Sequence, residues 1–376
     1  MKIEQHVFDL ESGWGKKSEA VASFRPQLVL AFGGRFLLQD RRTFEAVRDR
    51  YPDARIILAS TAGEISGDTI TEDRLSVTAV ALERGRIATA AVSVKNQWES
   101  YAAGKELAAR LSGEGLTHIF VVSDGQLVNG TELSRGFNES LRPEVKLTGG
   151  LAGDGARFER TLVGLSEPAM GGRVAAVGFY GSHMATGFGC SGGWTPEGTE
   201  YKVTASDGNI LFTLDREPAL DLYMRYTGVD AVNQPAACLR FPLWVLPPGR
   251  ESAVVRTILA VEGSTRSMVF AGDVPTGSRI RFMHASPSDL IAGAERAALQ
   301  AELSAPAELA LCVSCVGRRI VLGEAAEQEI LAMRRVLGAE TIISGFYSYG
   351  ELAPDGNELG CQLHNQTMTV ATFRET

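Results

Sequence analysis

The sequence predicts an α+β protein of two modules, built from repeated β-α-β-β units with mixed or antiparallel sheets. One short phrase, which occurs three times, is the first observation: a buried strand, a turn of tiny residues, and Gly followed by an acid, at 56–64, 147–154 and 342–351. Because Ser, Thr and Gly at a strand end let another group approach the backbone closely, these turns are expected to line a binding site.

The second observation is that each phrase ends a similar stretch of chain. An apolar strand and an amphipathic helix come before it every time, as at 28–32 and 42–51 in the first copy. From the start of the strand to the key glycine there are 35, 34 and 41 residues (Leu28 to Gly63, Ile119 to Gly153 and Leu309 to Gly350). A repeated spacing of this kind indicates one supersecondary unit used three times.

Other segments set the predicted boundaries. Two alternating runs, Leu75–Leu82 and Arg86–Val94, predict a hairpin through the turn at 83–85. A Pro-rich stretch at 234–249 is typical of a domain boundary. We therefore predict an N-terminal extension over 1–27, with His6 in a disordered tail, and domains over 28–225 and 226–376.

Composition excludes several classes of function. The chain has 376 residues and a formal net charge of −8, with no basic stripe for nucleic acid. It lacks an apolar run of roughly 18 residues that could span a membrane, and its first 20 residues lack the apolar stretch of a signal peptide. Five scattered cysteines do not form a disulfide framework. The expected location is the cytoplasm.

With these phrases assembled, the chain resembles the FIST family of sensory proteins along nearly its whole length. The matching text is ASTAGEI at 59–65, GGLAGDG at 149–155, GWTPEG at 193–198, FTLDREPALDLYMRYTG at 212–228, SCVGRR at 314–319, GFYSYGEL at 345–352 and HNQT at 364–367.

The resemblance implies a bacterial signal-input protein that binds a small ligand, and amino acids are the ligands proposed for the family at large. A chain of this length is similar to the haem-binding, nitric-oxide-sensing branch called NosP. That branch implies a separate partner, a histidine kinase or a cyclic-di-GMP enzyme. The sequence leaves the oligomeric state open, a homo-oligomer included.

A haem sensor needs an axial side chain, usually His, and an apolar pocket. His364, inside the HNQT phrase, is the candidate axial ligand, and His183 and His284 come next. The alternative is that His364 is a structural histidine. Tyr347 and Tyr349 either line the cofactor pocket or fill the core beside it.

Three cysteines have spacings that allow different chemistry. Cys312 and Cys315 form a C-x-x-C, and Cys361 with His364 forms a C-x-x-H, so a Cys₃His zinc site is one interpretation. A reversible disulfide between Cys312 and Cys315 is another. The third is that they are small buried residues that pack like hydrophobes.

The acids of the repeated phrases are candidates for ligand binding. Glu64, Asp154 and Glu351 are placed to hold the amino group of an amino acid, with hydroxyl partners at Ser60, Thr61 and Ser348. Alternatively, each carboxylate accepts from backbone N–H groups in its own tight turn. Since no P-loop, nucleophile elbow or zinc-protease motif is present, the prediction is a sensor that is not an enzyme.

Overall fold

The computed structural model describes residues 1–15, 24–354 and 360–376, and at 235 and 236 it describes the backbone alone. The described residues form the predicted α+β fold with mixed and antiparallel sheets. They form a body of three repeated units. A separate β module is inserted into the chain before the first strand of the third unit. Part of the predicted N-terminal extension, 16–23, lies outside the described residues.

The elements, in chain order, have the following bounds. The strands of the body before the insertion are β1 Lys2–Asp9, β2 Gly13–Trp14, β3 Leu28–Gly33, β4 Arg55–Ser60, β5 Glu64–Ser66, β6 Thr69–Thr71, β7 Leu75–Ala81, β8 Arg86–Ser93, β9 Leu116–Ser123, β10 Lys146–Leu151, β11 Val163–Leu165, β12 Arg173–Tyr180 and β13 Met184–Ser191. The insertion contains β14 Thr195–Asp207, β15 Ile210–Leu214, β16 Glu217–Pro218, β17 Leu243–Leu246, β18 Val254–Arg256, β19 Ile258–Glu262, β20 Ser267–Phe270 and β21 Arg279–His284. The body resumes with β22 Leu309–Cys315, β23 Ile342–Ser348, β24 Gly350–Pro354, β25 Cys361–His364 and β26 Met368–Glu375. The helices are α1 Arg35–Gln39, α2 Arg41–Arg50, α3 Ser100–Leu111, α4 Gly130–Asn138, α5 Ala219–Thr227, α6 Pro287–Gln300, α7 Val316–Leu322 and α8 Ala326–Leu337, with 3₁₀ turns at Gln97–Glu99, Pro235–Arg240 and Gly323–Ala325.

Across the described residues, the body contains three six-stranded sheets built on one plan. Their strand orders are β11-β4-β3-β7-β1-β2, β25-β24-β10-β9-β12-β8 and β13-β26-β22-β23-β5-β6. Each has a parallel pair near its centre (β3 with β4, β9 with β10, β22 with β23), and all other pairs are antiparallel. A crossover segment connects each parallel pair, as parallel strands require, and its helices are α1 and α2, α4, or α7 and α8.

The three units exchange strands with one another in a cycle. The strand β5 pairs with β23, β11 with β4, and β24 with β10, so each unit adds a hairpin or strand to another unit's sheet. The predicted hairpin between 75–82 and 86–94 is therefore wrong, because β7 lies in the first sheet and β8 pairs with β12 in the second. The Glu375 carboxylate holds the connection between them by accepting from the backbone N–H groups of Glu83 (2.8 Å) and Gly85 (2.6 Å).

The N-terminal residues are also part of this cycle. Instead of lying in a disordered tail, His6 belongs to β1, which pairs with β7 from Lys2↔Ala81 to Phe8↔Leu75. The outer strands β8 and β13 pair with β12 and β26 in the same way. The strand β1 takes the corresponding place in the first sheet, beside β7, and β2 lies at the edge beyond it.

Two glycines allow the central parallel pairs to approach closely. A Cβ on Gly345 would lie 1.8 Å from the carbonyl oxygen of Cys312, and one on Gly149 would lie 1.8 Å from that of Val121. Each glycine stands opposite the residue it would meet, in β22–β23 or β9–β10. Only glycine fits at these two positions.

The inserted module follows β13 and ends before α6. Its strands form an antiparallel sheet in the order β18-β17-β21-β14-β15-β20-β19, with a hydrophobic cluster of its own. The predicted boundary at 225/226 lies within α5, inside this insertion. Within the described residues, none of the helices combines the length and apolar character needed to cross a bilayer.

Candidate functional site

The three Gly-containing turns meet and are hydrogen-bonded to one another. The bonds run from the N–H of Ala62 to Tyr347 O (2.8 Å), from that of Tyr349 to Leu151 O (3.0 Å), and from that of Gly153 to Ser60 O (2.9 Å). Each turn thus donates to one neighbour and accepts from the other, which closes a ring. The repeated phrases of the sequence mark one place in the fold.

The ring shows which residues of the turns correspond. It aligns Ser60, Leu151 and Tyr347, so Glu64 corresponds to Glu351 four residues later. In the second turn Gly155 takes that position, and Asp154 is one residue earlier. The sequence comparison, which placed all three acids at equivalent positions, is wrong for Asp154.

Glu64 and Glu351 have matching surroundings. The Oε1 of Glu64 accepts from the Thr61 hydroxyl (2.6 Å) and its Oε2 from the Thr71 hydroxyl (3.1 Å). The same atoms of Glu351 accept from the Ser348 hydroxyl (2.7 Å) and the Thr367 hydroxyl (2.9 Å). Burial raises the pKa of each glutamate to about 7, because the loss of hydration raises the pKa by more than the hydrogen bonds from these hydroxyls lower it.

Asp154 is bound in a different way. Its carboxylate forms an ion pair with Arg35 (Oδ2 to Nη1, 2.9 Å) and accepts from the Tyr349 hydroxyl. The backbone N–H groups of Phe158 (2.9 Å) and Arg160 (3.0 Å) also donate to it. It is fully buried, so it acts as an anchor for the loop that follows it.

A cleft of about 610 Å³ opens where the first turn, the loop after Asp154, and α7 come together. Charged groups of both signs line it: the guanidinium groups of Arg35, Arg157 and Arg319, and the carboxyl groups of Glu64, Glu72, Asp73 and Asp154. Apolar surface comes from α7, through Val316 and Ile320.

The arginines of the cleft are held by the turns themselves. Arg157 donates to the carbonyl oxygen of Asp154 (2.9 Å), and its guanidinium lies 5.1 Å from the ring centre of Phe36. Arg319 donates to the carbonyl oxygen of Ala62 and to Glu72. Because backbone atoms fix these groups, the cleft presents ordered positive charge without a ligand.

The structure brings together only some of the predicted ligand residues. Thr61, Glu64 and Asp154 line the cleft. Ser60 instead accepts from the N–H of Leu162 (2.8 Å), while Ser348 and Glu351 are buried outside the cleft lining, where the Ser348 hydroxyl donates to Glu351. The structural alternative expected backbone N–H donors from the same turn, whereas the other donors to Glu351 are the N–H and the hydroxyl of Thr367, sixteen residues later.

Tyr347 and Tyr349 are core residues whose hydroxyls bind carboxylates. Tyr347 donates to Glu329 (2.7 Å), and burial raises its pKa well above the usual value. Tyr349 donates to Asp154 and stacks on Phe158 at 4.5 Å. Neither lines the charged cleft.

The predicted haem ligand lies elsewhere. His364 is on β25, half-buried, with Nε2 3.2 Å from the carbonyl oxygen of Ala353. The cleft lining contains no His, Cys, Met or Tyr among the described residues, and its charged groups do not fit the apolar faces of haem. His118 is fully buried, and its Nε2 lies 2.7 Å from the hydroxyl of Thr148.

The three cysteines of the zinc and redox interpretations are buried in different places. Cys312 and Cys315 lie on β22, three residues apart, so their side chains point to opposite faces; Cys361 is on β25 in another sheet. Burial raises the pKa of Cys312 to about 12, and it also raises the pKa values of Cys315 and Cys361. All are free thiols, and no group of three metal-ligating side chains is found among the described residues. This arrangement favours the packing interpretation.

Sequence reasoning missed the arginines of the cleft. Arg319 lies in the SCVGRR phrase, and Arg157 follows Asp154 by three residues, so both were close to quoted motifs. Arg35 directly follows the glycines Gly33 and Gly34 at the end of β3, outside the repeated turns in which the sequence predicted the site. Their common signal was a cation beside a Gly-rich turn.

Comparison with solved structures found cyanuric acid hydrolase from A. caulinodans, at 10% identity over 94% of this chain and 91% of that one. Its TM-score of 0.36 is too low to support an argument. A search of curated proteins found no match.

The sequence matches the FIST N domain over residues 27–217 and the FIST C domain over 219–354. The first match alone spans just over half of the chain. FIST domains are sensor domains of signal transduction that bind small ligands, and they often link to signalling proteins. The chain therefore belongs to the FIST family.

Proposed function

We propose that this protein is a sensor for a small zwitterionic metabolite of the amino-acid class, bound in the charged cleft. The observation that carries the proposal is that charges of both signs surround one opening. Arg157 and Arg319 supply positive charge, and Glu72 and Asp73 supply negative charge. A carboxylate and an ammonium group a few ångströms apart would find complementary partners there.

The volume of the cleft is large enough for a ligand of this size. A volume of about 610 Å³ lies within the range usual for small-molecule sites. Gly63 and Gly155 make room for the cleft arginines, because a Cβ on Gly63 would lie 2.3 Å from Arg319 Nη1 and one on Gly155 would lie 2.9 Å from Arg157 Nη1. The apolar surface of Val316 and Ile320 is available to a side chain of the ligand.

In this proposal, the carboxyl group of Glu64 is the one that interacts with the ammonium group of the ligand. This carboxyl is held by Thr61 and Thr71 and has a pKa raised to about 7 by burial. A ligand ammonium beside it would favour its ionised form, because an opposite charge lowers the pKa of a carboxyl group. Binding and ionisation of Glu64 are therefore coupled.

We further propose that the protein acts without catalysis, through a separate signalling partner, a histidine kinase or a cyclic-di-GMP enzyme. Haem-based nitric oxide sensing remains a prediction from the family resemblance, with His364 as its candidate ligand. The charged cleft gives it no support. If haem binds, its site lies elsewhere.

The experiment is a thermal-shift screen of the purified protein against the twenty L-amino acids one at a time. Since ligand that binds only the native state stabilises it by about 2.7 kcal/mol at 100 times Kd, a true ligand should raise Tm by about 3 °C. Each hit is repeated with its N-acetyl and amide derivatives, which lack one charge.

A rise with the free amino acid, lost with both derivatives, supports the proposal. The Arg157→Gln variant should lose most of the rise, whereas Arg142→Gln, at an exposed arginine outside the cleft, should keep it. No rise with any amino acid, together with a Soret band after haem addition that shifts with nitric oxide, would favour the haem prediction instead.

A further inference from the structure

The helix α7 carries two neighbouring arginines that point in different directions. Arg319 lines the cleft together with Val316, which lies three residues earlier on the same face of the helix, and with Ile320, the next residue. Arg318 is fully buried on the other side, with none of its side chain exposed. One short helix therefore connects the cleft lining to an interior charge.

The contacts of Arg318 reach the two points where the chain enters and leaves the inserted module. Its guanidinium donates to the carbonyl oxygen of Gly192, which directly follows β13. It also donates to that of Leu290 (2.8 Å), in the first turn of α6. It also forms an ion pair with Glu329 of α8 (2.7 Å) and donates to the carbonyl oxygen of Gln366 (3.5 Å). Both connections to the module are held by a single side chain.

A strained residue lies at the same junction. Gln366 has a left-handed backbone (φ 62°) although it is not glycine, and it is fully buried. Its Nε2 donates to the carbonyl oxygen of Leu239 in the inserted module (2.8 Å), and its own carbonyl oxygen accepts from the indole of Trp194 (3.1 Å). Its Oε1 has no hydrogen-bond partner among the described residues.

Gln366 is also in direct contact with α7. A Cβ on Gly317 would lie 2.3 Å from the Gln366 amide, so the helix backbone packs against that side chain. Strained residues cluster at ligand clamps and switch regions, and buried polar atoms without a hydrogen-bond partner are rare in native proteins. The junction is therefore a suitable place for a conformational change.

We infer that α7 couples the cleft to the inserted β module, so that the state of Arg319 sets how firmly the module's two connections are held. This inference rests on the proposed function, because it concerns the same cleft. A ligand carboxylate that binds Arg319 competes with the Ala62 carbonyl and with Glu72. These are contacts that differ between the free and bound states, which any ligand-driven change requires.

The change reaches the junction because Arg318 cannot be left without partners. A buried guanidinium that loses its acceptors carries a large desolvation cost, so Gly192 and Leu290 are expected to follow the helix. The inserted module then alters its position or its stability. That surface is the one we expect a signalling partner to detect.

The test uses hydrogen exchange of the full chain, measured by mass spectrometry without ligand. Arg319→Gln removes the tether of α7 to the first turn, and its side chain is 20% exposed, so the fold should tolerate the change. Peptides covering 192–195, 237–241 and 286–290 should exchange at least about fivefold faster than in wild type, the lower end of typical coupling between sites.

Two further variants complete the design. Arg157→Gln removes a guanidinium from the same cleft that donates within its own loop, to the carbonyl oxygen of Asp154, and it should leave these peptides unchanged. Glu72→Gln releases Arg319 from its outer partner at a side chain that is 68% exposed, and should shift the same peptides in the same direction as Arg319→Gln.

Unchanged exchange in both Arg319→Gln and Glu72→Gln overturns the inference, and so does an equal rise in Arg157→Gln, which would indicate general loosening. Because no ligand is added, a negative amino-acid screen leaves this result unaffected. A positive screen with unchanged exchange would leave the proposed function standing and the coupling refuted.

Discussion

Replacing Glu351 with Gln should change how the stability of the protein depends on pH. The carboxyl group is fully buried, and three donor groups from Ser348 and Thr367 point at it. Burial nevertheless raises its pKa from an ordinary value of 4.5 to about 7. In the native protein the group thus stays protonated up to about pH 7.

The sign of the effect follows from the two pKa values. In the unfolded chain Glu351 ionises near pH 4.5, so between pH 4.5 and 7 the unfolded state gives up its proton first. Raising the pH through this window therefore favours unfolding. At 1.36 kcal/mol per pKa unit, the carboxyl group costs about 3 kcal/mol of stability above pH 7 relative to pH 4.

The assay is urea unfolding of wild type and Glu351→Gln at pH 4.5, 6 and 8. Because Gln does not titrate, the free energy of unfolding of the variant minus that of wild type should rise by about 3 kcal/mol from the lowest to the highest pH. Glu144→Gln, at an exposed glutamate, is the control for a change of charge. If the difference between Glu351→Gln and wild type stays constant with pH, or falls, then burial does not outweigh the donors and the reasoning is refuted.

Three further predictions follow from buried groups of the body. His118→Leu should lose less stability in acid than wild type does. Burial lowers the pKa of His118 to about 3, so the unfolded state binds a proton first as the pH falls below 6.5. Urea unfolding from pH 7 to 5 measures this, and a variant as sensitive to acid as wild type would contradict the prediction. Gly345→Ala should lower the free energy of unfolding by about 1–3 kcal/mol, because its Cβ would clash with the Cys312 carbonyl. Gly113→Ala, whose Cβ would make only ordinary contacts, should lower it much less. Equal losses of stability in the two variants would contradict the close approach of the strands at Gly345. In the native protein a thiol reagent should modify Cys190 first, and it should modify the buried Cys312, Cys315 and Cys361 only on unfolding. Mass spectrometry of labelled peptides measures this. Prompt labelling of any of these three buried thiols, or a disulfide between two of them, would favour the redox interpretation.

Much of the local structure could be predicted from the sequence. The run 28–32 corresponds to β3, and the helix expected at 42–51 corresponds to α2 at Arg41–Arg50. These elements bury continuous apolar runs or one apolar helix face, and such patterns are local properties of the chain.

The pairing of the strands could not be predicted in the same way. Alternation in 75–82 and 86–94 indicates two half-buried strands, but it does not say that β7 and β8 belong to different sheets. That separation depends on Glu375, nearly three hundred residues later. The strand β1 was missed because its partner β7 gives most of the burial, while β1 itself is largely half-exposed.

The candidate site was predicted in position and only partly in chemistry. The tiny residues of the turns indicated where the chain permits close approach, and Thr61, Glu64 and Asp154 do line the cleft. The hydrogen-bond ring, which shifts Asp154 by one residue, is a tertiary feature. Arg157 and Arg319 were missed because an arginine near a turn is ordinarily a solvated surface residue.

Calorimetric titration of the amino acid with the largest rise in Tm, into wild type and Arg157→Gln, tests the central claim most directly. We predict one site per chain in wild type and at least about tenfold weaker binding in Arg157→Gln, the effect of losing roughly 1.4 kcal/mol from a charge-assisted hydrogen bond. Equal affinity in the two proteins would contradict the claim that this cleft holds the ligand.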